Sequence, residues 1–179
     1  MSGKRALIVV DMQKDYLQSG RKPMFTYDTE KLTDQVNRCI REFSRKGDDV
    51  IYIRQVFQNI VTNRLFIGFT IKGTDGAELY SGLDIVSDAV FDKYFPDSFS
   101  SEDFRKYVEE KGYTELAVCG LDECGCAGAT AKGAAKRGYN VTLISSATGT
   151  RFSERKLEKQ RKKLKELGVI YITAGDLYE

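Results

Sequence analysis

A chain of 179 residues with 41% hydrophobic and 30% charged residues has the size and composition of one globular domain with a substantial core. Its formal net charge of +2 gives no reason to invoke nucleic acid or a membrane surface as a partner, and no apolar run approaches the ~20 residues that span a bilayer. There is no histidine, which excludes a Ser-His or Cys-His catalytic pair and any histidine-ligated metal, and leaves carboxylate, lysine, tyrosine or thiolate as candidate bases.

In chain order, Ala6 to Val10 is a continuous apolar run closed by Asp11, the pattern of a fully buried strand with an acid at its carboxyl end. The apolar stretch at the N-terminus is too short for a signal peptide, and the 4 cysteines come without secretory features, so reduced thiols and a cytoplasmic location are expected. Met12 to Pro23 lacks a sustained period and is expected to be loop. Thr29 to Lys46 carries Leu32, Val36, Cys39, Ile40 and Phe43 at helical spacing, with Gly47 just past its end. Val50 to Val56 is a second strand. Phe57 to Leu83 is long and irregular, the kind of segment that usually serves or covers a site.

Ala89 to Phe91 predicts a short strand leading into Asp92 and Lys93. Ser100, with Asp103 behind it, predicts the start of a helix that closes at Gly112. Leu116 to Cys119 is an apolar run bounded by Gly120. From Cys126 the residues turn small and helix-compatible, with Gly138 as a stop. Asn140 to Ser145 and Val169 to Thr173 are further strands. Between them Ser153 caps a very basic helix to Leu167, whose charges have the pattern of a solvated face.

This alternation predicts an α/β fold, mainly a parallel sheet with helices on both faces. Ligands bind such sheets beyond the carboxyl ends of the strands. Asp11, Lys93 and Cys126 each fall at or just past a strand end, so three strands can bring a carboxylate, an ammonium and a thiol to one edge. At the start of a helix, unpaired N–H groups favour thiolate over thiol, which makes Cys126 the candidate nucleophile.

Four features in order carry a resemblance: an apolar strand into Asp11-Met12-Gln13, then GTDGAEL from Gly73 to Leu79, then Lys93, then a Gly-rich turn into Cys126 with Thr130 and Gly138-Tyr139 behind. Over Ala6 to Thr173 the chain resembles the isochorismatase-like cysteine hydrolases. The resemblance implies a three-layer Rossmann-like fold and an Asp-Lys-Cys triad at Asp11, Lys93 and Cys126. It also implies a cis peptide bond at Leu121-Asp122, an oxyanion hole made by the backbone N–H groups of Asp122 and Cys126, and a homo-oligomer. The apolar side chains between residues 57 and 71 are where subunits are expected to meet. Metal-binding nicotinamidases of the family use a histidine-containing site after the second strand, which this sequence cannot build, so no metal or cofactor is expected. The vinyl-ether-cleaving members lack the cysteine, so Cys126 directs the expectation to C–N hydrolysis of a small amide, carbamoyl or ureido compound through a thioester. The sequence departs from the family in its turn, Leu121-Asp122-Glu123-Cys124-Gly125, and at Ala127, where valine is usual.

Lys93 is expected to lower the thiol's pKa by placing a positive charge beside it, and Asp11 to carry its proton. Gln13, Phe57, Arg64 and Phe66 are candidate substrate-binding residues, with Arg64 a partner for a substrate carboxylate. Plainer readings stand beside these. Cys126 can be a small buried hydrophobe, Asp11 can cap the following turn, and Lys93 can be a solvated charge. A thiol redox protein using Cys124 and Cys126, or a non-catalytic binding protein on the same fold, remain alternatives.

Overall fold

A computed structural model describes residues 4–178. Its six strands are β1 (Arg5–Val10), β2 (Asp49–Gln55), β3 (Val90–Lys93), β4 (Glu115–Leu121), β5 (Asn140–Gly149) and β6 (Ile170–Ile172). They lie parallel in one sheet ordered β3-β2-β1-β4-β5-β6. The helices are α1 (Lys14–Leu17), α2 (Thr29–Arg45), α3 (Val61–Phe66), α4 (Glu102–Lys111), α5 (Cys126–Lys136) and α6 (Glu154–Glu166). None of them is long and apolar enough to cross a membrane.

β1 shows why a parallel strand reads as an unbroken apolar run: both faces are covered. Leu7 and Val9 pack toward Val36, Ile40 and Phe43 of α2, while Ala6, Ile8 and Val10 pack toward Phe104 and Val108 of α4 and the alanines of α5. The small residues of α5 let it lie close to its neighbours. A Cβ on Gly128 would sit 2.1 Å from the Glu123 carbonyl oxygen, and one on Gly133 2.4 Å from the Asp97 carboxylate.

Several boundaries differ from the sequence expectation, each for a physical reason. The Met12–Pro23 and Phe57–Leu83 segments contain the short helices α1 and α3, and α3 has no buried residue and hence no apolar period to find. Ser101, not Ser100, stands at the α4 N-cap, because Ser98–Ser100 form a single tighter turn capped by Asp97. β3 is displaced along the chain to include Lys93, since its pairing with β2 sets the register Gln55↔Lys93. β5 continues beyond Ser145 to Gly149. Its pairing with β4 jumps from Val118↔Leu143 to Gly120↔Thr148, so the strand bulges and its end folds over the turn after β4.

The chain runs outward from β1 through β2 to β3, and outward on the other side from β4 through β5 to β6. The order therefore reverses between β1 and β4, which opens a crevice at their carboxyl ends.

Candidate active site

Asp11 and Cys126 stand at the two walls of that crevice. Asp11 follows β1 with φ +53°, a left-handed conformation that Asp accepts more readily than most residues. Its N–H donates to the Ile53 carbonyl at 2.9 Å, tying it to β2. Next to it, β4 comes very close: a Cβ on Gly120, at φ +99°, would lie 2.2 Å from the Val10 carbonyl oxygen. Only glycine fits there. The Leu121–Asp122 bond that follows is cis, at the position the resemblance implied.

The structure brings Asp11, Lys93 and Cys126 together. The Lys93 ammonium, with no exposed surface, donates to Asp11 Oδ2 at 3.1 Å and to Gln55 Oε1 at 2.7 Å. The Cys126 thiol is 3.9 Å from the same Gln55 oxygen. Asp11 Oδ1 is buried without a partner at hydrogen-bond geometry, although the thiol is close enough to interact with this carboxylate. Sequence reasoning missed Gln55. It is the last residue of β2 and obeys the same strand-end rule that identified Asp11 and Lys93.

The electrostatics of the cluster follow from burial. Desolvation raises the Asp11 carboxyl above its ordinary value, against the opposing pull of Lys93. Lys93 is also raised: burial favours the neutral amine, but the charges of Asp11 and Cys126 outweigh it. Burial, then the Asp11 charge, push the Cys126 thiol up to about 12, with Lys93 opposing. Lys93 does lower the thiol, as expected, but burial and the Asp11 charge outweigh it. Asp11 and Lys93 already cancel, so a thiolate formed by losing its proton to solvent would add an unbalanced buried charge.

Passing the proton to Asp11 is a different process. It leaves a neutral carboxyl, an ammonium and a thiolate, and the site's total charge does not change. The partnerless Asp11 Oδ1 is the atom available to receive it.

The turn after β4 is held from several sides. Glu123 N–H donates to the Gly149 carbonyl at 2.9 Å, and the Glu123 carboxylate is gripped by both arms of Arg161 at 2.7 and 3.0 Å. Asp122 Oδ1 accepts from the Cys124 N–H, and Oδ2 from the Arg151 N–H, each at 2.8 Å. The Asp122 carbonyl accepts from the amides of Gly125 and Ala127. None of these bonds uses the amides of Asp122 and Cys126.

A cavity of about 220 Å³ opens beside the thiol. Asp11, Asp122 and Cys126 line it together with the rings of Tyr16, Tyr27 and Phe69. The four candidates for substrate contact, Gln13, Phe57, Arg64 and Phe66, do not line this cavity, which corrects that expectation. Gln13 is fully buried, its amide spent on the backbone: Nε2 donates to the Gln55 and Ala77 carbonyls and Oε1 accepts from the Gln55 N–H. It fastens the end of β2 to the GTDGAEL segment. Phe57 packs edge-on against Phe69, behind the cavity wall. Phe66 is exposed, and Arg64 is an exposed residue bonded to Asn59. Phe69, from the same segment, is the ring that does reach the cavity. Nothing local in the sequence distinguishes it from Phe66.

The fold is a parallel α/β sheet whose crevice carries a thiol at its edge, and comparison with known proteins finds the same fold. A family model described as the isochorismatase domain matches residues 5–176, and the chain belongs to the isochorismatase family of hydrolases. A probable inactive nicotinamidase of Arabidopsis thaliana is 30% identical over 160 residues, covering 80% of this chain and 79% of that protein. The crystal structure of a pyrazinamidase of Pyrococcus horikoshii in complex with zinc has TM-score 0.83 and 27% identity, covering 95% of this chain and 99% of that one. An N-carbamoylsarcosine amidase from Thermoplasma acidophilum has the same fold, with TM-score 0.79 at 23% identity and 96% of each chain covered. The zinc of the pyrazinamidase has no counterpart in the residue set here. The chain has no histidine, and among the described residues no three His, Cys, Asp or Glu side chains are grouped to hold a metal ion.

Proposed function

We propose that this protein is a cysteine hydrolase that cleaves the C–N bond of a small amide, carbamoyl or ureido compound through a thioester on Cys126. The observation that carries the reading is the meeting of Asp11, Lys93 and Cys126 at a cavity large enough for a small substrate. Family membership, and the amidase names of two proteins that share the fold, support it.

In this reading the Cys126 proton moves to Asp11 Oδ1 as sulfur attacks the substrate carbonyl carbon. The carbonyl oxygen gathers negative charge and takes hydrogen bonds from the amides of Asp122 and Cys126; such donors are each worth about 100- to 1,000-fold in turnover. Asp11 then gives its proton to the departing nitrogen as the C–N bond breaks, leaving the thioester. Water attacks that thioester and returns a proton to Asp11. The S–C bond breaks, the carboxylic or carbamic product leaves, and the thiol is restored. Lys93 stays charged throughout and keeps each intermediate from adding an unbalanced charge. Gln55 holds its ammonium in place. Cys124 plays no part.

The test is ammonia release from a panel of primary amides and ureido compounds, with mass spectrometry of protein quenched during turnover. Cys126→Ala is expected to lower turnover by roughly 10⁴- to 10⁶-fold, and the adduct is expected on Cys126 alone. An adduct on Cys124, or full activity in Cys126→Ala, would sink the mechanism.

A further inference from the structure

The charged side chains that line the cavity beside Cys126 are Asp11, Asp122 and Arg151. One residue further along the turn is another buried charge. Glu123 stands where this sequence departs from its family, does not line the cavity, and is only 1% exposed. Its carboxylate is held from α6 by both arms of Arg161, at 2.7 and 3.0 Å. A two-armed pair of this kind fixes orientation as well as charge. The Tyr171 hydroxyl, buried without a hydrogen-bond partner, is close enough to feel the same carboxylate: burial first, then the Glu123 charge, raise it.

Glu123 also belongs to the backbone that carries the proposed oxyanion donors. The peptide joining Asp122 to Glu123 is fixed at both ends. Its carbonyl accepts from the Gly125 and Ala127 N–H groups at 2.8 and 3.1 Å, and its N–H donates to the Gly149 carbonyl at 2.9 Å. The N–H groups of Asp122 and Cys126 lie before and after it in the chain. Helix α6 packs on the turn at this point. A Cβ on Gly128 would sit 2.1 Å from the Glu123 carbonyl oxygen and 2.6 Å from the Gln160 amide nitrogen. Without Arg161, the Glu123 carboxylate would be an uncompensated charge in a medium of low dielectric. The reaction would then build a second negative charge, on the substrate oxygen, close to the first.

We infer that Arg161 is a positioning residue for the reaction at Cys126: from α6 it clamps Glu123, holds the oxyanion turn, and neutralises a carboxylate that would otherwise oppose the oxyanion. Neither Arg161 nor Glu123 lines the cavity, so the bound substrate meets neither of them. Their effect falls on the transition state, where the oxygen becomes negative, and hence on kcat rather than KM. This inference rests on the hydrolase reading and adds to it a residue outside the cavity. Its electrostatic half has a distinct signature: Arg161 matters most while Glu123 is charged.

The experiment compares wild type with Arg161→Gln, Glu123→Gln and the double variant. Ammonia release is measured with the best-hydrolysed amide of the panel, and aldehyde capture with propionaldehyde and benzaldehyde. Capture joins the Cys126 sulfur to the aldehyde carbon, moves the thiol proton to Asp11, and leaves a negative oxygen in the oxyanion position with no C–N bond to break. Arg161→Gln is expected to lower kcat and aldehyde affinity by roughly 10- to 100-fold each, with KM within about 3-fold of wild type. Neutralising Glu123 as well is expected to recover most of that loss, because no charge is then left alone. A loss carried by KM, or a double variant no better than Arg161→Gln, would overturn the inference. If Arg161→Gln does not fold, Glu123→Gln is compared with the double variant. There the removal of Arg161 is expected to cost no more than about 3-fold, and a larger loss overturns the inference. Equal aldehyde affinity in wild type and Arg161→Gln, with no capture by either counted as equal, would also overturn it while hydrolysis stands. Capture that weakens in Arg161→Gln and returns in the double variant, with no ammonia released from any amide, would instead remove the hydrolase reading and leave the positioning role standing.

Discussion

The carboxyl edge of the sheet and the segment from residue 57 to residue 71 reverse each other's chemistry. At the edge, charged side chains are inside: Lys93 has 0% exposure and Asp11 2%. In the segment, large apolar side chains are outside, with Val61 at 77%, Leu65 at 74% and Phe66 at 79%. Residue type alone would assign the two regions the other way round. A buried charge persists only where partners compensate its lost hydration, and Lys93 has Asp11 and Gln55 for that purpose. Exposed apolar surface needs no such compensation, and single residues of this kind are ordinary on soluble proteins. Four in one short stretch, Ile60, Val61, Leu65 and Phe66, are a patch.

The sharpest way to break the contrast is to remove the cation from the edge. Lys93→Met leaves the Asp11 carboxylate buried without a counter-charge, a change that typically costs about 3–5 kcal/mol. Turnover is expected to vanish with it. The pH dependence has a definite sign. Asp11 is raised in the folded state, so its contribution to stability is complete below the unfolded value of 3.8 and is lost as pH rises through the folded value. Without Lys93 that folded value rises further. The destabilisation measured by urea unfolding should therefore be smaller at about pH 4 than at about pH 7. A loss under about 1 kcal/mol at neutral pH would mean the pair behaves like a surface ion pair.

Asp11→Asn separates reactivity from catalysis. Burial comes first among the causes that hold the Cys126 thiol up at about 12, and the Asp11 charge second. Asparagine removes that charge, tolerates the left-handed backbone, and leaves Lys93 as an uncancelled cation beside the sulfur. Iodoacetamide is then expected to alkylate Cys126 faster than in wild type at about pH 8. Turnover is expected to fall by about 100- to 10,000-fold, because no group remains to carry the proton. Slower alkylation, or retained turnover, would show that the thiolate does not depend on this carboxylate.

The two regions also differ in how far they could be read from sequence. Asp11, Lys93 and Cys126 each end or follow an apolar run, and strand ends in a parallel sheet converge by topology, so local patterns led to a non-local cluster. Gln55 obeys the same rule, and its place opposite Lys93 became evident only with the β2–β3 register. Arg151 had no such signal. It reaches the cavity because β5 bulges against β4, a consequence of pairing between distant segments. Arg64 was the arginine suggested by its neighbours in sequence, and it faces away. Within residues 57–71 there is neither a period of two nor one of 3.6 to say which ring turns inward. Phe69 does so by packing on Tyr16, Phe25 and Phe57.

The mildest perturbation addresses the exposed side of the contrast. The family resemblance implies a homo-oligomer, with contact expected along this segment. Leu65 and Phe66 are largely solvent-facing in the single chain, so Leu65→Lys combined with Phe66→Gln should change its unfolding free energy by no more than about 0.5 kcal/mol. If the patch seats against a second copy, the same double substitution should shift sedimentation from oligomer to monomer, since two polar side chains would have to be desolvated in a closed contact. An oligomer that survives the substitutions unchanged would place the interface elsewhere. A wild-type protein that already sediments as a monomer at all concentrations would leave the patch as surface for a different partner, while the buried edge, with its charges closed on one another, would be unaffected by either result.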